Sequence, residues 1–94
     1  MVYRIGLRAE SDLEEIGLYT IERWGFDQWV KYLSILTEAF DTIAMFPHMG
    51  KPLAGTQENV RSYSVGRHMI RYTTEPDGSV TIVRVLHVRR MPPR

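Results

Sequence analysis

The spacing of the apolar residues changes at Pro47, and this change constrains the fold more than any other feature of the 94-residue chain. Before Pro47 the apolar side chains recur every three or four residues, which is the period of an amphipathic helix. After Pro47 they alternate with polar residues, which is the period of a strand with one buried face. The chain therefore divides into a helical first half and a β-rich second half.

Two helices are expected before Pro47. Ser11 and the glutamate three residues later have the spacing of a capping box, which predicts that the first helix begins at Ser11. Gly25 ends this helix, and Asp27 is the expected N-cap of a second helix that continues to Phe46. The two form an αα-hairpin. The apolar positions with helical spacing are Leu13, Ile16, Tyr19 or Thr20, and Trp24 in the first helix, and Val30, Leu33, Leu36, Phe40, Ile43 and Ala44 in the second.

Strands are predicted on both sides of the helical hairpin. A short strand, Tyr3–Leu7, precedes it, and residues 47–59 read as a loop because they contain two prolines and two glycines. Gly66 and the run Glu75-Pro76-Asp77-Gly78 supply the turns of a β-meander. The three strands of this meander are Val60–Val65, His68–Thr74 and Val80–His87, and the last is the most β-branched and is expected to be central.

The element order β-α-α-β-β-β predicts an α+β fold. In this two-layer arrangement the helical hairpin packs on one face of a small antiparallel sheet, and the first strand joins the sheet at an edge. Residues 1–94 are expected to form a single domain, since a chain of this length supports one modest core. The chain has no cysteine, which excludes disulfides and thiolate metal sites, and it has no apolar run long enough to span a membrane. A soluble, cytoplasmic protein is therefore expected.

The charges are segregated along the chain. Residues 1–50 contain eight acidic and four basic side chains, and residues 51–94 contain three acidic and eight basic ones. The net charge of +1 thus conceals an acidic half and a basic half. Such asymmetry favours a macromolecular partner over a small apolar ligand.

The basic residues of the second half are the candidate target-binding residues. A single arginine on a strand is explained equally well as part of a solvated sheet face. Seven cationic or titratable groups on one meander instead favour a phosphate-bearing or acidic partner. The predicted target-binding residues are Arg61, Arg67, Arg71, Arg84, His87, Arg89 and Arg90.

Few residues indicate catalysis or a cofactor. The chain has no phosphate-binding loop, nucleophile elbow or zinc-protease motif, so no cofactor is expected. Its three histidines are scattered, and no metal site is predicted. The acids Glu10, Asp12, Glu14 and Glu15 are interpreted as a solvated helix face near the positive end of the helix dipole. The aromatic residues Trp24, Trp29, Phe26 and Phe46 are expected to lock the helical hairpin together, or to stay partly exposed as a docking patch.

The chain carries a set of short motifs that are weak singly and specific in combination: Arg8-Ala9-Glu10 with Asp12-Leu13-Glu14-Glu15-Ile16, Arg23-Trp24-Gly25, Phe46-Pro47-x-x-Gly50-x-Pro52, Val60-Arg61-Ser62, Gly66-Arg67-His68-x-Ile70-x-Tyr72, and Val83-Arg84-Val85-Leu86-His87 with Arg89-Arg90. In this order and at these spacings they resemble the ParE/RelE superfamily of bacterial toxins, and most closely its ParE branch. The resemblance covers nearly the whole chain. Where members of the family often have Ser-Pro before the first helix, this chain has Gly6-Leu7.

The resemblance implies the toxin of a type II toxin–antitoxin module. By likeness to ParE, the chain would inhibit DNA gyrase without being an enzyme, and a cognate ParD-like antitoxin would neutralise it as a hetero-oligomer. The alternative is a ribosome-dependent mRNA endonuclease of the RelE type, with Arg61, Arg67, Arg84 and His87 as its catalytic groups. The RelE branch places a tyrosine or histidine near the C-terminus, and here no tyrosine follows Tyr72. A third reading is an inactive binding module of the same fold.

Overall fold

A computed structural model describes residues 3–55 and 59–90, in which a short strand passes directly into a helical hairpin and a sheet follows. The elements are β1 (Tyr3–Ile5), α1 (Leu7–Trp24), α2 (Phe26–Met45), β2 (Lys51–Pro52), β3 (Val60–Val65), β4 (His68–Thr74), β5 (Val80–His87) and a 3-10 turn (Val88–Arg90).

The first helix begins four residues earlier than the capping box predicts. Helix α1 starts at Leu7, its cap residue is Gly6, and Ser11 lies inside the helix. The prediction that Leu7 belongs to the first strand is also wrong. The backbone N–H of Gly6 donates to the carbonyl oxygen of Ile82 at 2.9 Å, so contact with β5 continues up to the residue directly before the helix.

Gly25 divides the two helices, as predicted. Its φ of 92° lies in a region that side chains other than glycine disfavour. Its N–H closes α1 on the carbonyl of Ile21 at 2.9 Å, and its own carbonyl accepts from Trp29 N–H at 3.3 Å. The cap of α2 is therefore Gly25, whereas the predicted cap, Asp27, lies in the first turn, where its charge is favourable near the helix dipole.

The sheet has the strand order β1-β5-β4-β3-β2. The three meander strands have the predicted bounds and pair antiparallel, which confirms the α+β two-layer fold. Strand β1 joins the edge by pairing parallel with β5, so the sheet is mixed rather than wholly antiparallel. Strand β2, which the sequence reading left inside a loop, pairs with β3 through Lys51 and Pro52.

A β-bulge interrupts the pairing of β4 with β5. Arg71 pairs with Arg84, but the next residue, Tyr72, pairs with Ile82, which leaves Val83 as an extra residue in β5. A bulge bends its strand and redirects the neighbouring side chains. Its effect here falls on Arg84.

The core lies between the helical hairpin and one face of the sheet. Alternate residues of β4 and β5, including Ile70 and Ile82, point into it, and the ring of Tyr3 meets that of Phe40 edge-on at 5.5 Å. The intervening residues, such as Met69 and Arg71, are half-buried on the face that the helices do not cover. The buried core residues are Ala9, Leu36, Ala39, Phe40, Ile43, Ile70, Tyr72, Val80, Ile82 and Val85.

The predicted aromatic lock of the hairpin involves one residue only. Trp29 packs against Gly17 of α1, so closely that a Cβ on Gly17 would lie 2.9 Å from the indole ring. Trp24 and Phe26 are 69% and 64% exposed at the tip of the hairpin. Phe46 follows the far end of α2 and is exposed there.

Candidate docking surfaces

The predicted target-binding residues do not form one surface. Arg84 is bound by Asp12 of α1, and Arg61 contacts other parts of the chain on the helix side of the sheet. Arg71 lies on the opposite, uncovered face. The remaining four, Arg67, His87, Arg89 and Arg90, belong to the end of the meander where the β3–β4 turn meets the 3-10 turn.

Arg61 points to the helix side of the sheet rather than lying on a solvated face. On β3 it pairs with Tyr72, a core residue of β4. Its Nη1 donates to the carbonyl oxygen of Gly50 at 2.8 Å and to that of His48 at 3.2 Å. The guanidinium of Arg61 therefore holds the segment between α2 and β2 against the sheet.

Tyr72 reinforces this attachment. Its hydroxyl donates to the carbonyl oxygen of Pro47 at 2.9 Å and accepts from the backbone N–H of Gly50 at 2.9 Å. Burial raises the pKa of Tyr72, so the phenol keeps the proton that this arrangement requires. The sequence showed the alternation that places Tyr72 inside, but it gave no sign of its backbone partners.

Arg84 is engaged by an acid of the first helix. Its Nε donates to Oδ2 of Asp12 at 2.8 Å and its Nη2 donates to Oδ1 at 3.1 Å. The backbone N–H of Val85 also donates to Oδ2, at 2.9 Å. These hydrogen bonds raise the pKa of Arg84. Asp12 is only 8% exposed, so it departs from the solvated helix face on which it was placed.

Tyr32, His68 and His87 form a chain of rings at the meander end. The Tyr32 hydroxyl lies 2.6 Å from Nδ1 of His68 and accepts from the backbone N–H of Arg67 at 3.3 Å. Burial raises the pKa of Tyr32, so we assign the shared proton to the phenol, which then donates to His68. The rings of His68 and His87 meet edge-on with centroids 5.1 Å apart. Nδ1 of His87 accepts from Arg89 N–H at 3.1 Å.

The four groups of the alternative nuclease site are not brought together. Arg61 pairs with Tyr72 and His87 pairs with His68, and these partners are four residues apart on β4. That separation corresponds to about 13 Å along a strand. Arg84 is also held by Asp12.

An apolar groove of about 450 Å³ lies between the two helices. The close approach of Trp29 to Gly17 forms part of it, and Leu18 stands 70% exposed in its wall. An exposed apolar groove on so small a domain marks a binding surface. The lining residues are Leu13, Glu14, Gly17, Leu18, Ile21, Trp29 and Leu33.

Two further observations concern residues 3–55 and 59–90. No three histidine or acidic side chains in these ranges are grouped so that they could hold a metal ion. Neither helix in the described part of the chain is apolar enough over sufficient length to cross a membrane.

The described residues thus build a small α+β protein in which a helical hairpin covers one face of a mixed five-stranded sheet and an exposed apolar groove lies between the helices. Residues 3–92 match the family described as the ParE toxin of the type II toxin–antitoxin system parDE. The chain therefore belongs to the ParE toxin family, which confirms the resemblance seen in its motifs.

Proteins named Toxin ParE1 are similar over most of the chain. Those of Mycobacterium tuberculosis strains CDC 1551 / Oshkosh and H37Rv are each 37% identical over 87 residues, which cover 93% of this chain and 89% of theirs. That of Caulobacter vibrioides is 35% identical over 85 residues, covering 90% of this chain and 86% of its own. A solved structure described as the chromosomal ParDE TA system from P. aeruginosa shares the fold, with a TM-score of 0.78, 16% identity, and 94% and 96% of the two chains covered.

Proposed function

We propose that this toxin inhibits DNA gyrase in the cytoplasm, blocks replication, and is neutralised by a cognate ParD-like antitoxin. Membership of the ParE family supports the gyrase assignment. One observation favours it over mRNA cleavage. The cations that a RelE-type nuclease would need are spread along the sheet, and Arg84 is already paired with Asp12.

The groove between the helices is the proposed site for the apolar anchors of the antitoxin. Its wall exposes Leu18, and an amphipathic segment would cover that surface. Beyond the two residues paired with β2, strand β3 offers an unpaired edge at Tyr63–Val65 within the described part of the chain, where a strand could be added. An acidic stretch of the antitoxin would complement Arg67 and Arg89 at the meander end.

Parallel assays with one preparation test the activity. We expect the purified toxin to reduce gyrase supercoiling and to increase the cleaved-DNA complex, while in vitro translation on the same day is unaffected. His87→Ala should remain toxic, because His87 is assigned no catalytic role. Codon-linked mRNA cuts that disappear in His87→Ala would establish the RelE-type activity instead. Harmless expression without the antitoxin, together with no effect in either assay, would identify an inactive binding module.

A substitution in the groove tests the antitoxin site separately. Leu18→Asp places a charge in the apolar wall and is expected to weaken antitoxin binding at least tenfold, as measured by calorimetry with the product of the neighbouring gene. Leu7→Asp is the matched control, because Leu7 is an exposed leucine of the same helix that does not line the groove. Equal binding by the two variants would exclude the groove as the antitoxin site.

A further inference from the structure

The face of the sheet that the helices leave uncovered carries cations on both edge strands and on the central strand. Arg4 of β1 pairs with Thr81, Arg71 lies on the central strand β4, and Lys51 of β2 pairs with Ser62, which in turn pairs with Arg71. All three cations therefore stand on the same face. Only Arg71 was among the predicted target-binding residues.

None of these cations forms an ion pair within the described residues, although the charge of Arg4 acts on the carboxylate of Asp77. Arg84, the register partner of Arg71 on β5, is held by Asp12, and no salt bridge joins Arg4, Lys51 or Arg71 to a carboxylate in residues 3–55 and 59–90. The Nε of Arg71 is buried without a hydrogen-bond partner. Within the described part of the chain, Lys51 and Arg71 thus lack a carboxylate within ion-pair distance.

One carboxylate of this face is engaged with hydroxyl groups. Oε2 of Glu75 accepts from Oγ1 of Thr81 at 2.6 Å and from Oγ1 of Thr73 at 3.3 Å. The carboxylate therefore sits at the end of the face where β4 turns into β5. Ser62 and Ser64 add further hydroxyl groups between the cations. Arginine, lysine and hydroxyl side chains are the groups with which proteins contact phosphate oxygens.

The composition of the face distinguishes duplex from single-stranded nucleic acid. Proteins that hold single strands stack the bases on aromatic side chains. The tyrosines of the sheet point to the helix side: Tyr3 meets Phe40, and Tyr63 and Tyr72 pack in or against the core. With cations and hydroxyls but no aromatic ring among its described residues, this face suits a backbone whose bases are already paired.

We propose that this face binds the phosphate backbone of double-stranded DNA without reading its sequence. From β1 to β2 the five strands span about 19 Å, since neighbouring strands lie about 4.8 Å apart. A duplex segment of that length carries roughly eleven phosphate charges. Each of the three cations consequently has a phosphate within reach. This binding does not depend on gyrase inhibition, and it is measured without gyrase.

The salt dependence of binding to a labelled 20-base-pair duplex tests the proposal. With three phosphates neutralised, the slope of log K against log salt concentration should be about −2.7. The triple variant Arg4→Gln, Lys51→Gln, Arg71→Gln should lose that slope and bind at least tenfold more weakly at low salt. Fluorescence anisotropy provides the measurement, and circular dichroism verifies that each variant is folded.

A second triple variant controls for net charge. Arg8→Gln, Arg23→Gln, Lys31→Gln removes three exposed cations from the helical layer and reaches the same net charge. It should bind the duplex within about twofold of the wild type. Equal losses in the two triple variants would show that only net charge matters and would overturn the proposal.

Two other results would also overturn it. One is tighter binding of a single strand of the same sequence than of the duplex. The other is a greater loss of duplex affinity in the double variant Arg67→Gln, Arg89→Gln than in the triple variant of Arg4, Lys51 and Arg71. That result would place the DNA at the meander end. If the wild type binds duplex as expected but leaves gyrase unaffected, the DNA site stands and the gyrase proposal fails.

Discussion

Two tyrosines fasten the ends of the covered sheet face, and they do so by different means. At one end Tyr72, fully buried, bonds to two backbone groups, Pro47 O and Gly50 N–H. At the other end Tyr32, half-buried, bonds to the side chain of His68 and to one backbone N–H. Each hydroxyl donates once and accepts once.

A glycine abuts each hydroxyl. A Cβ on Gly50 would lie 2.4 Å from the Tyr72 hydroxyl, and one on Gly66 would lie 2.7 Å from the Tyr32 hydroxyl. The two ends differ in how far the tyrosine side chain can move away from an added Cβ. Tyr72 is locked in the sheet, whereas Tyr32 is a helix side chain. We infer that the Tyr72 end carries more of the stability and that the Tyr32 end is the more adaptable.

The two glycines should give the largest difference. Gly50→Ala would press its Cβ on the Tyr72 hydroxyl and, at 2.9 Å, on the rigid carbonyl oxygen of Ser62. We expect a loss of about 3 kcal/mol in the free energy of unfolding. Gly66→Ala should cost about 1–2 kcal/mol, mainly because its φ of 56° is unfavourable for alanine. Urea unfolding monitored by tryptophan fluorescence measures both, and a larger loss in Gly66→Ala would reverse the ranking.

Removal of the hydroxyls should give a smaller difference in the same direction. Tyr72→Phe leaves Gly50 N–H and Pro47 O without their partner in a buried place, which should cost about 2 kcal/mol. Tyr32→Phe should cost about 1 kcal/mol, because its surroundings are partly open to water. Identical losses would mean that the two attachments are equivalent. The aromatic ring is retained in each variant, so the packing is unchanged and the loss of stability reports on the hydroxyl alone.

Alkaline pH should give the smallest effect. Burial raises the pKa of Tyr3, Tyr32 and Tyr72 above the ordinary value near 10. The unfolded chain therefore loses these protons first, and the stabilisation, complete below about pH 10, declines as the pH rises through the folded-state values. Tyr72→Phe and Tyr32→Phe should each reduce the slope of stability against pH in this range, by an amount that corresponds to at most one proton. An unchanged slope of stability against pH in both variants would contradict this assignment.

The sequence predicted the meander strands with the observed bounds because their signals are local. Alternation marks each strand, and Gly66 and Gly78 adopt the positive φ that their turns require. The start of α1 could not be predicted in this way, since it depends on a hydrogen bond from Gly6 to the distant Ile82. Strand β2 was missed because two residues, one of them a proline, have no period to detect.

The candidate site was less predictable for the same reason. The identity of the basic residues was plain in the sequence, but their orientation depends on contacts far along the chain. Arg61 binds the carbonyls of a loop more than ten residues away, and the bulge at Val83 allows Arg84 to meet Asp12 of the first helix. The alignment of Arg4, Lys51 and Arg71 on the uncovered face could not be predicted, because Arg4 and Lys51 lie on the two edge strands and the sequence does not show how these strands are placed relative to β4.

The hydrogen bonds from Arg84 and Val85 to Asp12 also have a consequence for the sequence of folding events. They join residues 72 and 73 positions apart, and β1 likewise pairs with β5. Contacts between distant residues form late, because a long loop must close first. During synthesis the first helix and the first strand thus cannot make these contacts until residues 80–87 have been added. A chain that ends before these residues lacks β5, the strand that joins β1 to β4, and so cannot form the native five-stranded sheet.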